Sequence, residues 1–159
     1  MYILTKALAA DAESIRTVIE QIWKDSPLDT KNKAALFRTL DQTHSSAVIA
    51  QEIESGEKEY LLLKKSEGII LAFASYSVLQ ANQAEMVIHQ LYDVIHSRGW
   101  KNQIILIDRI EKESKSRHLR CISLTLSELG KVQLFESLGF IATADHLDGV
   151  EKITMRKQI

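Results

Sequence analysis

The chain has 159 residues, 45% of them hydrophobic and 26% charged, which suits one domain (1–159) folding around one core without disulfides or metals. Twenty basic against 21 acidic residues give a formal charge of −1, so nothing in the balance attracts nucleic acid or an acidic membrane. Cys121 is alone, which excludes an internal disulfide, a thiolate metal cluster and a CxxC pair, and its apolar surroundings read as core.

Tyr2 to Ala7 is short and β-compatible. Ile15, Val18, Ile19 and Ile22 then recur at helical spacing, Asp11 is placed to cap the start, and Trp23 extends the apolar stripe to the Asp25-Ser26-Pro27 stop. A second helix carries Leu36, Phe37 and Leu40, and a third runs from Ser45 to Gly56 with Val48, Ile49 and Ile53 on its buried face. Tyr60–Lys64 and Ile69–Leu79 read as two strands of a hairpin through Lys65-Ser66-Glu67-Gly68. Met86–Ile95 alternates imperfectly, as a strand covered on both faces does.

Asn102–Ser116 is helical, with Ile104, Ile107 and Ile110 apolar and a solvated charged face with pairs such as Asp108 and Lys112. Ile122, Leu124 and Leu126 alternate with Ser123 and Thr125 as a strand does. Val132, Phe135 and Leu138 mark a short helix closed by Gly139, and Phe140–Ala144 and Val150–Met155 end the chain as strands around Asp148-Gly149. The order β-α-α(α)-β-β-β-α-β-α-β-β predicts an α/β (α+β) domain, a mixed sheet covered by helices. No run approaches about 18 apolar residues, and the N-terminus lacks a basic-then-apolar signal, so a cytoplasmic chain with no membrane partner is expected.

Several short segments resemble the GNAT acetyltransferases. Phe135-Glu136-Ser137-Leu138-Gly139-Phe140 resembles that family's Y-E-K-L-G-F, where a short helix ends in glycine and enters a strand. Leu91-Tyr92 followed by Arg98-Gly99 resembles L-Y-V-x-P-x-x-R-G-x-G-x-G without a gap. Phe73-Ala74-Ser75-Tyr76-Ser77 is similar to the G-F-A-S-Y-S of one bacterial branch, and Ile88-His89-Gln90-Leu91-Tyr92 to its L-H-K-L-Y.

The resemblance implies a GNAT-type, mostly antiparallel mixed sheet with helices on both faces, and acetyl-CoA as the cofactor-like donor. It implies that the donor is held by Tyr92, Asp93, Val94, Arg98, Gly99, Trp100, Lys101, Asn102 and Gln103, where a strand passes through a turn into a helix whose first amides face an anion. His89 is the implied base, since an imidazole of pKa about 6.5 accepts a proton at neutral pH, although the residue reads first as a hydrogen-bonded core histidine. Glu85 and Asp93 are further candidates for the base. Ser75 and Tyr76 lie where the acceptor binds, and alternation turns one to the cleft and one to the core. The acceptor is then a small-molecule or protein amine, with a homodimer also compatible.

The chain departs from the pattern at named positions. Lys101 and Gln103 stand at two of the family's three glycines, and Asn102 replaces an apolar residue. Phe135 stands where a tyrosine protonates the leaving thiolate, and Leu126 and Leu129 stand where asparagine is common. These changes set a second expectation beside the N-acetyltransferase: an inactive module of the same fold that binds an acyl-CoA or a protein partner. His44, His96, His118 and His146 have no metal-ligand spacing and read as surface residues, so no metal is expected.

Overall fold

The computed structural model describes residues 1–25, 30–79, 84–94, 100–126, 131–143 and 153–159. The elements are β1 (Tyr2–Lys6), α1 (Ala12–Lys24), α2 (Thr30–Thr43), α3 (Ser46–Ser55), β2 (Glu59–Lys65), β3 (Ile70–Val78), β4 (Glu85–Asp93), α4 (Lys101–Ser116), β5 (Cys121–Leu126), α5 (Val132–Ser137), β6 (Ile141–Thr143) and β7 (Ile153–Gln158). Their order is the one expected from the sequence. Among the described residues seven strands form one mixed, mostly antiparallel sheet, β1-β2-β3-β4-β5-β7-β6. The chain divides into two compact units, Met1–Ser75 with Leu91–Ile104 and Tyr76–Gln90 with Ile105–Ile159.

In the first unit β1 pairs antiparallel with β2, from Tyr2↔Lys65 to Lys6↔Leu61. α1 buries Ala12, Ile15 and Ile19 at spacings of three and four, so one stripe meets Leu40, Ile49, Tyr60, Leu62 and Phe73 in the core. Each large apolar side chain so buried contributes about 1.5–3 kcal/mol. Trp23 and Val18 flank that stripe. Asp11 stands at the N-cap position of α1, as expected, but its side chain makes no cap hydrogen bond to the helix. Its carboxylate accepts the N–H of Leu8 at 2.8 Å and thereby closes the short 3₁₀ turn Ala9–Asp11 that precedes the helix.

α3 begins as expected, with Ser45 Oγ accepting the N–H of Val48 at 3.2 Å, and ends on Gly56 at φ 73°, a conformation that costs a side chain energy. Its buried face is Ile49 with Glu52, and Val48 and Ile53 are only half-buried. The Glu52 carboxylate tolerates that position because Tyr60 Oη donates to it at 3.1 Å and Lys58 Nζ lies 2.6 Å away. Burial, then the Glu52 charge and hydrogen bond, push the Tyr60 phenol far above its usual range. The hairpin from β2 to β3 closes through Lys65 and Gly68, the latter at φ 85°.

In the second unit β4 and β5 run parallel, Glu85↔Cys121 to Ile88↔Leu124, a pairing that needs a crossover, here α4. β7 pairs antiparallel with β5 over its whole length and with β6 over three residues. β7 reaches Gln158, beyond the Met155 expected, because its register with β5 continues to Cys121↔Gln158. β5 is buried on both faces as far as Leu124, Ser123 included, so its sequence alternation does not separate core from solvent. Gly139 ends α5 at φ 93°, where an added Cβ would meet Lys157 Cε at 3.2 Å. Among the described residues no helix is long and apolar enough to cross a membrane.

Candidate active site

β4 carries the residues on which the site depends. It starts at Glu85, ends at Asp93, and places His89 in solvent between the buried Ile88 and the half-buried Gln90. His89 is therefore an exposed histidine and not a core one. Its register with β5 stops at Ile88↔Leu124, although β4 continues to Asp93 and β5 to Leu126. The two strands pair as far as Ile88, and the pairing ends directly before His89.

The His89 ring meets Ser77, whose Oγ lies 2.7 Å from Nε2. Ser75 and Tyr76 are both fully buried, so alternation sends neither to solvent. Tyr76 Oη donates to Glu113 Oε2 on α4 at 3.0 Å, which satisfies a phenol that burial would otherwise leave unpaired. Ser77, in the same F-A-S-Y-S segment, is the half-buried member. The sequence offered one signal for it, its place two residues beyond Ser75 on the same face of the strand.

Glu85 is buried and held by Arg156, with Nη2 3.0 Å from Oε2. The same Nη2 lies 3.4 Å from Cys121 Sγ. An ion pair at this place gives Glu85 a structural task. Cys121 is a buried thiol, as expected. Phe135 is buried on α5 and packs edge-on against Phe140, ring centroids 5.6 Å apart.

The first unit holds the start of α4. Arg98 and Gly99 lie outside the described residues, as do Ile95, His96 and Leu129. Trp100 has φ 58°, a left-handed conformation in which a bulky side chain is strained, and the helix begins at the next residue. Lys101 is exposed. Asn102 Nδ2 donates to Asp93 Oδ1 at 3.1 Å, tying the end of β4 to the first turn of the helix. Gln103 is 4% exposed, and among the described residues its Oε1 has no hydrogen-bond partner. It belongs to the stripe Gln103, Leu106, Ile107, Ile110 and Ser114 that α4 buries, while Ile104 is only half-buried.

Tyr92 packs on Phe73 at 5.4 Å, burial pushes its hydroxyl upward, and a hydrogen bond from the Trp23 indole opposes that rise. The N–H of Val94 donates to Leu71 O at 2.8 Å, so it serves the sheet. His44 is half-buried, not at the surface, and burial followed by Lys58 lowers its pKa. Among the described residues no three His, Cys, Asp or Glu side chains are grouped to hold a metal ion.

Among the described residues the mixed seven-strand sheet is the fold of the GNAT acetyltransferases to which the chain is similar. The chain matches a PaiA N-acetyltransferase from Thermoplasma acidophilum in complex with coenzyme A with a TM-score of 0.80 at 15% identity, covering 100% of this chain and 99% of that one. A GCN5-related N-acetyltransferase from Rhodopseudomonas palustris gives 0.72 at 18% identity over 99% and 95%, and a GNAT acetyltransferase from Streptococcus pneumoniae 0.72 at 13% over 100% of both. No family model and no curated protein matches the sequence.

Two features, one in each compact unit, have the chemistry that part of an acyl-CoA needs. The end of the β4–β5 pairing suits an extended, amide-bearing arm that bonds to strand backbone. The first-turn amides of α4, with exposed Lys101 beside them, suit a diphosphate. Asp93 is the charge of opposite effect, and it is buried and held by Asn102.

Proposed function

We propose that this chain, as one domain, transfers an acetyl group from acetyl-CoA to a small-molecule or protein amine, with His89 as the base. The observation that carries this reading is the end of the β4–β5 register immediately before an exposed histidine. Acetyl-CoA supplies the thioester that the amine attacks. Tyr92, Asp93 and Val94 would take the arm of the donor and Trp100 to Gln103 its diphosphate, with Arg98 and Gly99 assigned to the same task from the sequence. His89 takes the proton that the amine nitrogen sheds as the carbon–nitrogen bond forms and the carbon–sulfur bond breaks. The leaving thiolate takes its proton from water, because Phe135 has none to give. Ser75 and Tyr76 shape the site from beneath, being buried, and do not touch the acceptor.

A second reading, the same fold binding an acyl-CoA or a protein partner without turnover, is favoured by Gln103. A residue packed in the buried stripe of α4 stands where a glycine would admit a phosphate. The two readings separate in one set of measurements. Coenzyme A and acetyl-CoA are titrated against the protein by thermal unfolding, and release of the CoA thiol is followed with a panel of amines. A rise in Tm with thiol release that the His89→Gln change abolishes is the expected result. A rise in Tm without turnover on any amine selects the acyl-CoA-binding module, and no rise at millimolar CoA removes the enzyme and the acyl-CoA-binding module and leaves the protein-binding one.

A further inference from the structure

The resemblance gave Ser77 no role in the site, yet its Oγ lies 2.7 Å from Nε2 of His89. The two belong to β3 and β4, neighbours in the sheet, and to the same compact unit. His89 is exposed, and an exposed imidazole on a strand has several χ1 and χ2 wells open to it. Ser77 is half-buried on a strand whose preceding seven residues are all buried, so its hydroxyl has a fixed origin. The contact therefore selects one ring orientation out of several.

We infer that Ser77 is a positioning residue for His89, accepting its Nε2–H and so leaving Nδ1 as the nitrogen with the lone pair. This rests on His89 being the base. The direction of the bond follows from the reaction. A ring that donates through Nε2 keeps the bond when it becomes imidazolium, because both nitrogens then carry hydrogen. A hydroxyl donating into the Nε2 lone pair would have to turn away at that moment. The retained bond also strengthens as the ring gains charge, so Ser77 stabilises the form that the reaction creates. Neither neighbour can replace it, since Ser75 is fully buried and the Tyr76 hydroxyl is committed to Glu113.

The test uses the full chain and the variants Ser77→Ala, Ser77→Thr and His89→Gln. Titration of the His89 ring by nitrogen-15 NMR needs no substrate. Ser77→Ala is expected to lower the pKa of His89, and Ser77→Thr, which keeps the hydroxyl, to restore it. In turnover, Ser77→Ala is expected to lower kcat by about tenfold, a part of what losing the base costs, with KM for acetyl-CoA unchanged and the acidic limb of the rate profile moved to lower pH. An unmoved or raised titration in Ser77→Ala overturns the inference, a raised one because it means that the serine donates. Wild-type turnover in His89→Gln overturns the base itself and leaves the NMR result to judge the contact.

Discussion

The start of α4 and the Ser77–His89 pair both place polar side chains next to β4, and they dispose of them in opposite ways. At the helix start Asp93 and Gln103 are buried, Asn102 is committed to Asp93, and the exposed member is Lys101. At Ser77 and His89 the polar atoms bond to each other while the ring stays in solvent. Buried polar groups resist change because losing a partner leaves a desolvated atom, whereas an exposed pair can exchange protons at little structural cost. The first region resembles a structural joint, and the second is the reaction site in the proposed function. Substitutions that separate stability from turnover test that contrast.

The largest expected effect belongs to the exposed region. His89→Gln should lower kcat by about 10²–10⁴-fold while leaving the melting temperature and the acetyl-CoA KM in place. Steady-state kinetics with a responsive amine, beside a thermal melt, checks both halves. Loss of stability together with activity would mean that His89 is a structural residue and would erase the contrast.

Phe135 comes next. Its ring is buried against Phe140, so the hydroxyl in Phe135→Tyr would enter a filled apolar site. A cost of about 1–3 kcal/mol is expected in urea unfolding, with no gain in turnover. A faster enzyme of unchanged stability would show that water reaches position 135 and that thiolate protonation had limited the rate.

At the joint, Gln103→Met keeps an unbranched helix-forming side chain and removes the unpartnered Oε1. It should stabilise the protein by about 1–2 kcal/mol, read as a rise in the urea midpoint at constant slope. A fall instead would indicate that the carboxamide has a bound partner in solution.

A smaller effect lies in the ion pairs of the second unit. Lys157 first, and Lys115 after it, hold the Glu111 carboxyl below its usual range, against the opposing effect of burial. The folded chain thus binds fewer protons there than the unfolded chain. The stabilisation is present above the ordinary carboxylate range and is lost as pH falls through the lowered folded value. Glu111→Gln should cost about 1 kcal/mol at neutral pH and nothing at pH 2. Equal losses at both pH values would assign the effect to packing.

What the sequence made legible follows from how each feature is encoded. Helical stripes such as Ile15 and Ile19, the Ser45 cap and the glycines at 56, 68 and 139 are local, and the residues declare them. The pairing of β4 with β5 is a different case, since strand neighbours 30 and more residues apart carry no local signal. Gln103 was marked only for standing at a glycine position, and its burial was not legible because the stripe it shares with Leu106, Ile107 and Ile110 is set by tertiary packing. Ser77 was overlooked because a serine's use depends on its cross-strand partner, and the pairing of β3 with β4 is not written in either segment.

The smallest effect distinguishes the two regions by sign. Lys101 is the first residue of α4, exposed, and its charge lies at the positive end of the helix dipole. Without a ligand that arrangement is unfavourable, so Lys101→Ala should raise stability by about 0.3–1 kcal/mol. With an anion at the helix start the same ammonium is attractive, and its loss should weaken CoA binding by about twofold to fivefold. The weakening should be larger at 10 mM salt than at 150 mM, because the Debye length shrinks from about 30 Å to about 8 Å. Opposite signs in the two measurements identify a site for the donor's phosphates. A gain in stability with CoA affinity unchanged at both salts would leave α4 a structural helix, with the acyl chemistry, if any, confined to the neighbourhood of His89.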